Sequence, residues 1–244
     1  MTCRYCGKEK KLIKAHVIPE AFFRRMRHGD LPPRLLSQNH YSQKVPIGIY
    51  DRNILCMDCE KLFGEWDDYA QKLLDIETMG ATPIVENSQV AGYEVAQYQY
   101  DKLKLFFISL LWRASISTHR FYKRISLGQL EPVAKEFIEK RDPGTPEDFS
   151  VTIAKFDHPL GTTILDPHPQ KNDHINYYRF YLGSYVAYIK SDKRKTPSPF
   201  ASFMMTPNEP LRIIVRDLER SKELPLIQKI ATADNNTLRS TRKK

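Results

Sequence analysis

Apolar and polar positions change their rhythm several times along this chain. Leu12-Ile13-Lys14-Ala15-His16-Val17-Ile18 has β character and stops at Pro19, so it predicts a strand closed by the proline. Residues 20–27 predict a short helix carrying Arg24, Arg25 and Arg27. Residues 28–46, with Pro-Pro and several Ser, Asn and Gln, predict a loop, and 47–55 a second strand. From Cys56 the period lengthens. Leu62, Phe63, Trp66, Tyr69, Ala70, Leu73 and Leu74 recur at spacings of three and four, the stripe of an amphipathic helix.

The pattern differs again after residue 76. Residues 80–98 read as short β-prone pieces or loop, 101–124 as a buried helix rich in Leu, Phe and Ile, and 129–140 as a second helix ended by Asp142-Pro-Gly-Thr-Pro146. Strands are predicted at 149–156, 176–190, 200–205 and 211–217. The fold class is therefore α+β: an N-terminal module over residues 1–76, then a domain over 77–244 made of a helical segment and an antiparallel sheet. No internal repeat or low-complexity tract is present.

Composition narrows the class. Hydrophobic residues are 41% and aromatics 11% of the chain, values of a globular protein. The longest apolar stretch, Leu103 to Trp112, is interrupted by Lys104 and is too short to cross a bilayer. The Met-Thr-Cys-Arg start lacks an apolar leader core. A soluble, cytoplasmic protein with no membrane partner is expected. The net charge of +9 is unevenly spread: residues 1–64 hold twelve Lys/Arg against six acids, whereas 65–100 hold one Lys against seven acids. A basic N-terminal module suits an anionic partner such as nucleic acid. The basic end Arg239-Ser-Thr-Arg-Lys-Lys244 reads as a solvated tail.

All four cysteines fall in two Cys-x-x-Cys pairs, Cys3/Cys6 and Cys56/Cys59. In a reducing compartment this arithmetic favours one structural Zn²⁺ with four thiolate ligands over free buried thiols or a redox pair. Cys3-Arg-Tyr-Cys6-Gly7 reads as a knuckle whose glycine lets amides face the thiolates, and the second pair opens the amphipathic helix. Knuckle, strand, strand and helix is the treble-clef arrangement.

Taken in order, Cys3-Arg-Tyr-Cys6-Gly7, Ala15-His16-Val17-Ile18-Pro19 and Asp51-Arg-Asn-Ile-Leu-Cys56-Met-Asp-Cys59 resemble the zinc-stapled HNH endonucleases, over about the first 65 residues. The resemblance implies a ββα-metal fold, hydrolysis of phosphodiester bonds in nucleic acid (DNA foremost), and a catalytic Mg²⁺ or Mn²⁺ separate from the zinc. It places His16 as general base, with Asp51 and Glu60 as oxygen donors to the catalytic ion or orienting groups. The chain departs from the family pattern in three places. Ala15 stands where a carboxylate or histidine precedes the base, Asp51 where the family has Asn, and Glu60 where it has His or Asn.

Other readings of the same residues stay open. His16 also reads as a hydrogen-bonded structural residue, Glu60 as a first-turn helix carboxylate, Asp51 as a turn residue, and the arginines at 24, 25 and 27 as a solvated helix face. A non-catalytic module that binds nucleic acid or a protein partner fits the same composition, with a protein partner for the C-terminal domain. Asp166-Pro-His168-Pro and Asp173-His174 read as loop composition rather than a metal site. Tyr177, Tyr178, Phe180, Tyr181, Tyr185 and Tyr188 read as sheet residues. No Walker loop, dinucleotide fingerprint or Gly-x-Ser-x-Gly elbow is present.

Overall fold

A computed structural model describes residues 1–26, 33–36, 43–45, 48–75, 80–158, 163–225 and 227–228. Arg27, Ile47 and the basic tail at 239–244 lie outside the described residues.

The knuckle forms as its glycine dictates. Gly7 sits at φ +68°, a region a side chain disfavours, and its N–H donates to the Cys3 carbonyl at 2.9 Å. The two predicted strands pair but are short. β1 (Ala15–His16) runs antiparallel to β4 (Tyr50–Asp51), with Ala15 opposite Asp51 and His16 opposite Tyr50. Leu12 bridges Cys56, and Val17 and Ile18 leave the ladder to fill the core. Pro19 then starts α1 (Glu20–Arg25), which buries Phe22 and Phe23.

The predicted 28–46 loop contains two strands, β2 (Arg34–Leu36) and β3 (Gln43–Lys44). β2 also pairs in parallel with β8 (Thr163–Leu165), a partner supplied from far along the chain and so invisible to local pattern. The single amphipathic helix is in fact two, α2 (Met57–Lys61) and α3 (Gly64–Leu73). At the break Phe63 turns fully into the core while Leu62 stays exposed.

α4 (Tyr100–Ile116) is the central post of the molecule. Fourteen of its seventeen residues are buried, as befits a helix that is apolar almost all round. It packs on α3, on α5 (Glu131–Lys140) and on the sheet. It ends at Ile116, short of the predicted residue 124, because Ser117 turns to extended backbone (ψ 137°). The Asp51 carboxylate captures the Thr118 and His119 amides just beyond, and a 3₁₀ turn follows at Arg120–Tyr122.

Seven strands form the large sheet in the order β5-β6-β12-β7-β11-β10-β9. They are β5 (Thr82–Glu86), β6 (Gln89–Val95), β7 (Val151–Phe156), β9 (His168–Asn172), β10 (Ile175–Leu182), β11 (Tyr185–Lys190) and β12 (Leu211–Arg216). All pairs are antiparallel except β12 with β7. Asp173 and His174 are the two left-handed residues (φ 46° and 64°) of the tight β9–β10 turn, which accounts for them without a metal. The strand predicted at 200–205 is replaced by α6 (Ser198–Ala201), because Pro197 and Pro199 start a helix and cannot serve a ladder. Only Met204 of that segment bridges the sheet, at Thr152.

Alternation along the strands gives the sheet two apolar faces. Val151, Ile153, Phe180, Ala187 and Ile189 join one continuous cluster that reaches through α4 to Phe63, Trp66 and Cys3. Phe156, Tyr177, Tyr181, Val186 and Tyr188 form a smaller cluster on the opposite face.

Candidate functional site

The four cysteines converge. Their sulfurs all lie within 4.8 Å of one another, and among the described residues they are the one group of His, Cys, Asp or Glu ligand atoms able to hold a metal ion. A tetrahedral thiolate site with Zn–S bonds of about 2.3 Å needs sulfurs about 3.8 Å apart, so the donor set fits an ion such as zinc. Backbone amides surround it: the Cys56 N–H donates to Cys3 Sγ at 3.4 Å. Burial opposes ionisation of Cys3, but the amides of Cys6, Cys56 and Tyr5 outweigh it and bring the thiol down to about 7.

Beside this centre the strand and the helices bring four groups together. The His16 N–H donates to Glu60 Oε1 at 3.1 Å, and the His16 carbonyl accepts from Arg113 Nη1 at 3.1 Å. Arg113 is fully buried and clasps Asp67 through two hydrogen bonds of 2.9 and 2.6 Å. Its guanidinium also lies over the Phe63 ring, 4.8 Å from the centroid. Burial holds the carboxyl of Glu60 above its ordinary range, against the pull of Arg113 and the His16 amide. Burial does the same to Asp67. Glu60 Oε2 is buried without a hydrogen-bond partner.

Comparison with known proteins assigns no relative. No protein-family model matches this chain, and searches of curated proteins and of solved structures find no significant match. Any functional reading therefore stands on the site itself.

His16 and Glu60 meet, but Asp51 does not join them. Its carboxylate accepts from the Ser117 hydroxyl (2.8 Å), the Thr118 amide (2.5 Å), the His119 amide (3.1 Å) and the Asn53 amide (2.8 Å). Burial works against the charge, yet these donors prevail and hold Asp51 below the ordinary carboxylate range. With its lone pairs so engaged it ties β4 to the end of α4. A hard divalent cation asks for about six oxygens. Glu60 Oε2 is sealed from solvent and Asp51 is occupied, so these residues as placed do not form a Mg²⁺ or Mn²⁺ site.

Arg113 and Asp67 were not among the residues singled out from sequence. The available signal was chemical: an arginine inside an otherwise apolar helix demands a partner. Next to His16, Tyr50 is flanked by Lys14 Nζ (5.1 Å from the ring centroid) and the Arg52 guanidinium (5.6 Å), and it meets the His16 ring edge-on. Tyr50 and Arg52 open onto a cavity of about 740 Å³ that Lys44, His119 and Arg120 also line. The α1 arginines are otherwise engaged, Arg24 with Glu20 and Arg25 with Asp75. No helix among the described residues is long and apolar enough to cross a membrane.

Proposed function

We propose that residues 1–76 form a structural-zinc, treble-clef module of the HNH kind that hydrolyses phosphodiester bonds in nucleic acid, DNA foremost, with His16 as general base. One observation carries the reading: three charged side chains from three helices, Arg113 fully buried and Glu60 and Asp67 partly so, are spent on fixing the backbone of one half-buried histidine. Glu60 holds its N–H, Arg113 holds its carbonyl, and Asp67 locks Arg113. Burying charge is costly, and such a frame fixes the backbone from which the imidazole projects, while the Tyr50 ring meets the imidazole edge-on; a general base must be held in place to take a proton from an attacking water. Lys14 and Arg52 around Tyr50 supply positive charge beside it for a phosphate backbone. Asp51 acts as a positioning residue. No step is routed through a catalytic Mg²⁺ or Mn²⁺, because the donors present do not assemble its site.

A second reading, a module that binds nucleic acid or a protein partner without cleaving, is favoured by the saturation of Asp51 and the burial of Glu60 Oε2. Incubating the zinc-loaded protein and its His16→Ala variant with supercoiled plasmid, with and without Mg²⁺ or Mn²⁺, separates the two. Nicking by the wild type that disappears in the variant, with zinc content and melting temperature unchanged, supports the nuclease. Salt-sensitive binding by both proteins without nicking by either assigns the binding module.

A further inference from the structure

On the face of the sheet away from α4, a cleft of about 610 Å³ opens between the β9–β10 edge and residues 216–223. Its volume lies within the range of small-ligand sites. Six cations line it: Arg124, Lys171, Arg179, Arg216, Arg220 and Lys222. Two carboxylates, Asp166 and Glu223, are set against them. Arg220 pairs with Asp217 outside the lining, at 3.2 Å, so five cations face two acids.

The deeper part is built rather than incidental. The Arg179 and Arg216 side chains, 11% and 25% exposed, both turn to the single carboxylate of Glu223, itself 3% exposed. Tyr181 donates to that carboxylate as well, at 3.0 Å. The Arg179 guanidinium lies over the Tyr188 ring, 5.2 Å from its centroid, and donates to Gln170. Arg216 lies over Phe156 and donates to the Tyr188 hydroxyl at 2.7 Å. One carboxylate thus serves two guanidiniums, and Arg179 Nε is buried with no hydrogen-bond partner. At the rim Arg124, Lys171 and Lys222 are exposed, and none has a carboxylate at ion-pair distance among the described residues.

A partly buried pair of guanidiniums sharing one carboxylate is completed by an anion, and rigid arginine forks suit tetrahedral oxyanions. A single carboxylate ligand would leave most of the surplus uncompensated. A phosphoryl group brings up to two charges and three acceptor oxygens. We propose that this cleft binds a phosphoryl group, whether free, on a mononucleotide or within a polynucleotide, as a site separate from the zinc module.

The test uses the full zinc-loaded chain at constant ionic strength and three probes: inorganic phosphate, adenosine monophosphate and a short fluorescent single strand. Thermal shift reads the first two and anisotropy the third. The variant Arg124→Gln/Lys171→Gln/Lys222→Gln touches only exposed rim side chains; Lys72→Gln/Lys193→Gln/Lys195→Gln is the charge-matched control. The rim variant is expected to weaken binding about tenfold or more and the control less than about twofold. Loss for phosphate and the mononucleotide alike identifies the phosphoryl group itself as ligand, loss for the mononucleotide but not phosphate a free nucleotide, and loss for the strand alone a polynucleotide. Equal binding by the rim variant and control for every probe, or no binding by the wild type, overturns the proposal. His16→Ala leaves this binding intact, so failure of the nuclease reading is distinguishable.

Discussion

Replacing Arg113 by Met tests whether buried charge frames the site. The change keeps helix propensity and most of the volume but leaves Asp67, only 17% exposed, without the two hydrogen bonds that neutralise it. Removing one partner of a buried pair costs about 3–5 kcal/mol. The lost bond to the His16 carbonyl adds about 1 kcal/mol. For a chain of this size, a loss of about 5 kcal/mol lowers the melting temperature by roughly 10–20 °C. Urea unfolding of the zinc-loaded protein measures the same quantity directly. The double variant Asp67→Leu/Arg113→Met removes both charges and is expected to recover about 2 kcal/mol or more of that loss. Recovery is partial because Glu60 remains buried nearby. The folded double variant lacks the clamp on the His16 carbonyl, so any cleavage it retains measures how much that clamp matters. An Arg113→Met cost below about 1 kcal/mol, or a double variant no more stable than the single one, would refute the reasoning.

Two further outcomes follow from the geometry. One zinc per chain is expected by metal analysis, and either Cys56→Ser or a strong chelator should abolish cooperative unfolding of the N-terminal module, since metal binding and folding are coupled; full stability without metal would remove the structural ion. Glu147 receives the buried Lys190 ammonium at 2.6 Å and the Thr196 amide at 2.9 Å; partial burial opposes its charge, but these donors bring it from 4.5 down to about 2. Because the folded value is depressed, its contribution is full above about pH 4.5 and fades as pH falls toward about 2. The stability gap between wild type and Glu147→Gln should therefore be constant from neutral pH to mild acid and close below it. A gap that widens in acid contradicts the assignment.

Much of the first 75 residues was legible because the information is local. Two Cys-x-x-Cys pairs with a glycine after the first specify a thiolate cluster, and the spacing of three and four over Gly64–Leu73 follows from its one apolar face; beyond them, the nearly continuous apolar run marks Tyr100–Ile116 as a buried helix. The sheet strands at 151–156 and 211–216 were legible for the same reason, whereas the single strand expected at 176–190 is a hairpin of two, Ile175–Leu182 and Tyr185–Lys190, turned at Gly183 (φ +68°). What the tertiary structure decided is where long-range partners act. Pairing with β8 makes a strand of Arg34–Leu36, the Asp51 carboxylate stops a helix sixty-five residues later in the chain, and Phe63 divides one amphipathic stripe into two helices. The site shows this most clearly. Sequence named His16 and Glu60 but not Arg113 or Asp67, because a buried ion pair is stabilised only by the partner that folding brings, and no local pattern encodes which carboxylate that will be. The same holds for Arg179, Arg216 and Glu223: their strand and loop are readable, but the imbalance of charge among them exists only once they are packed on one face of the sheet.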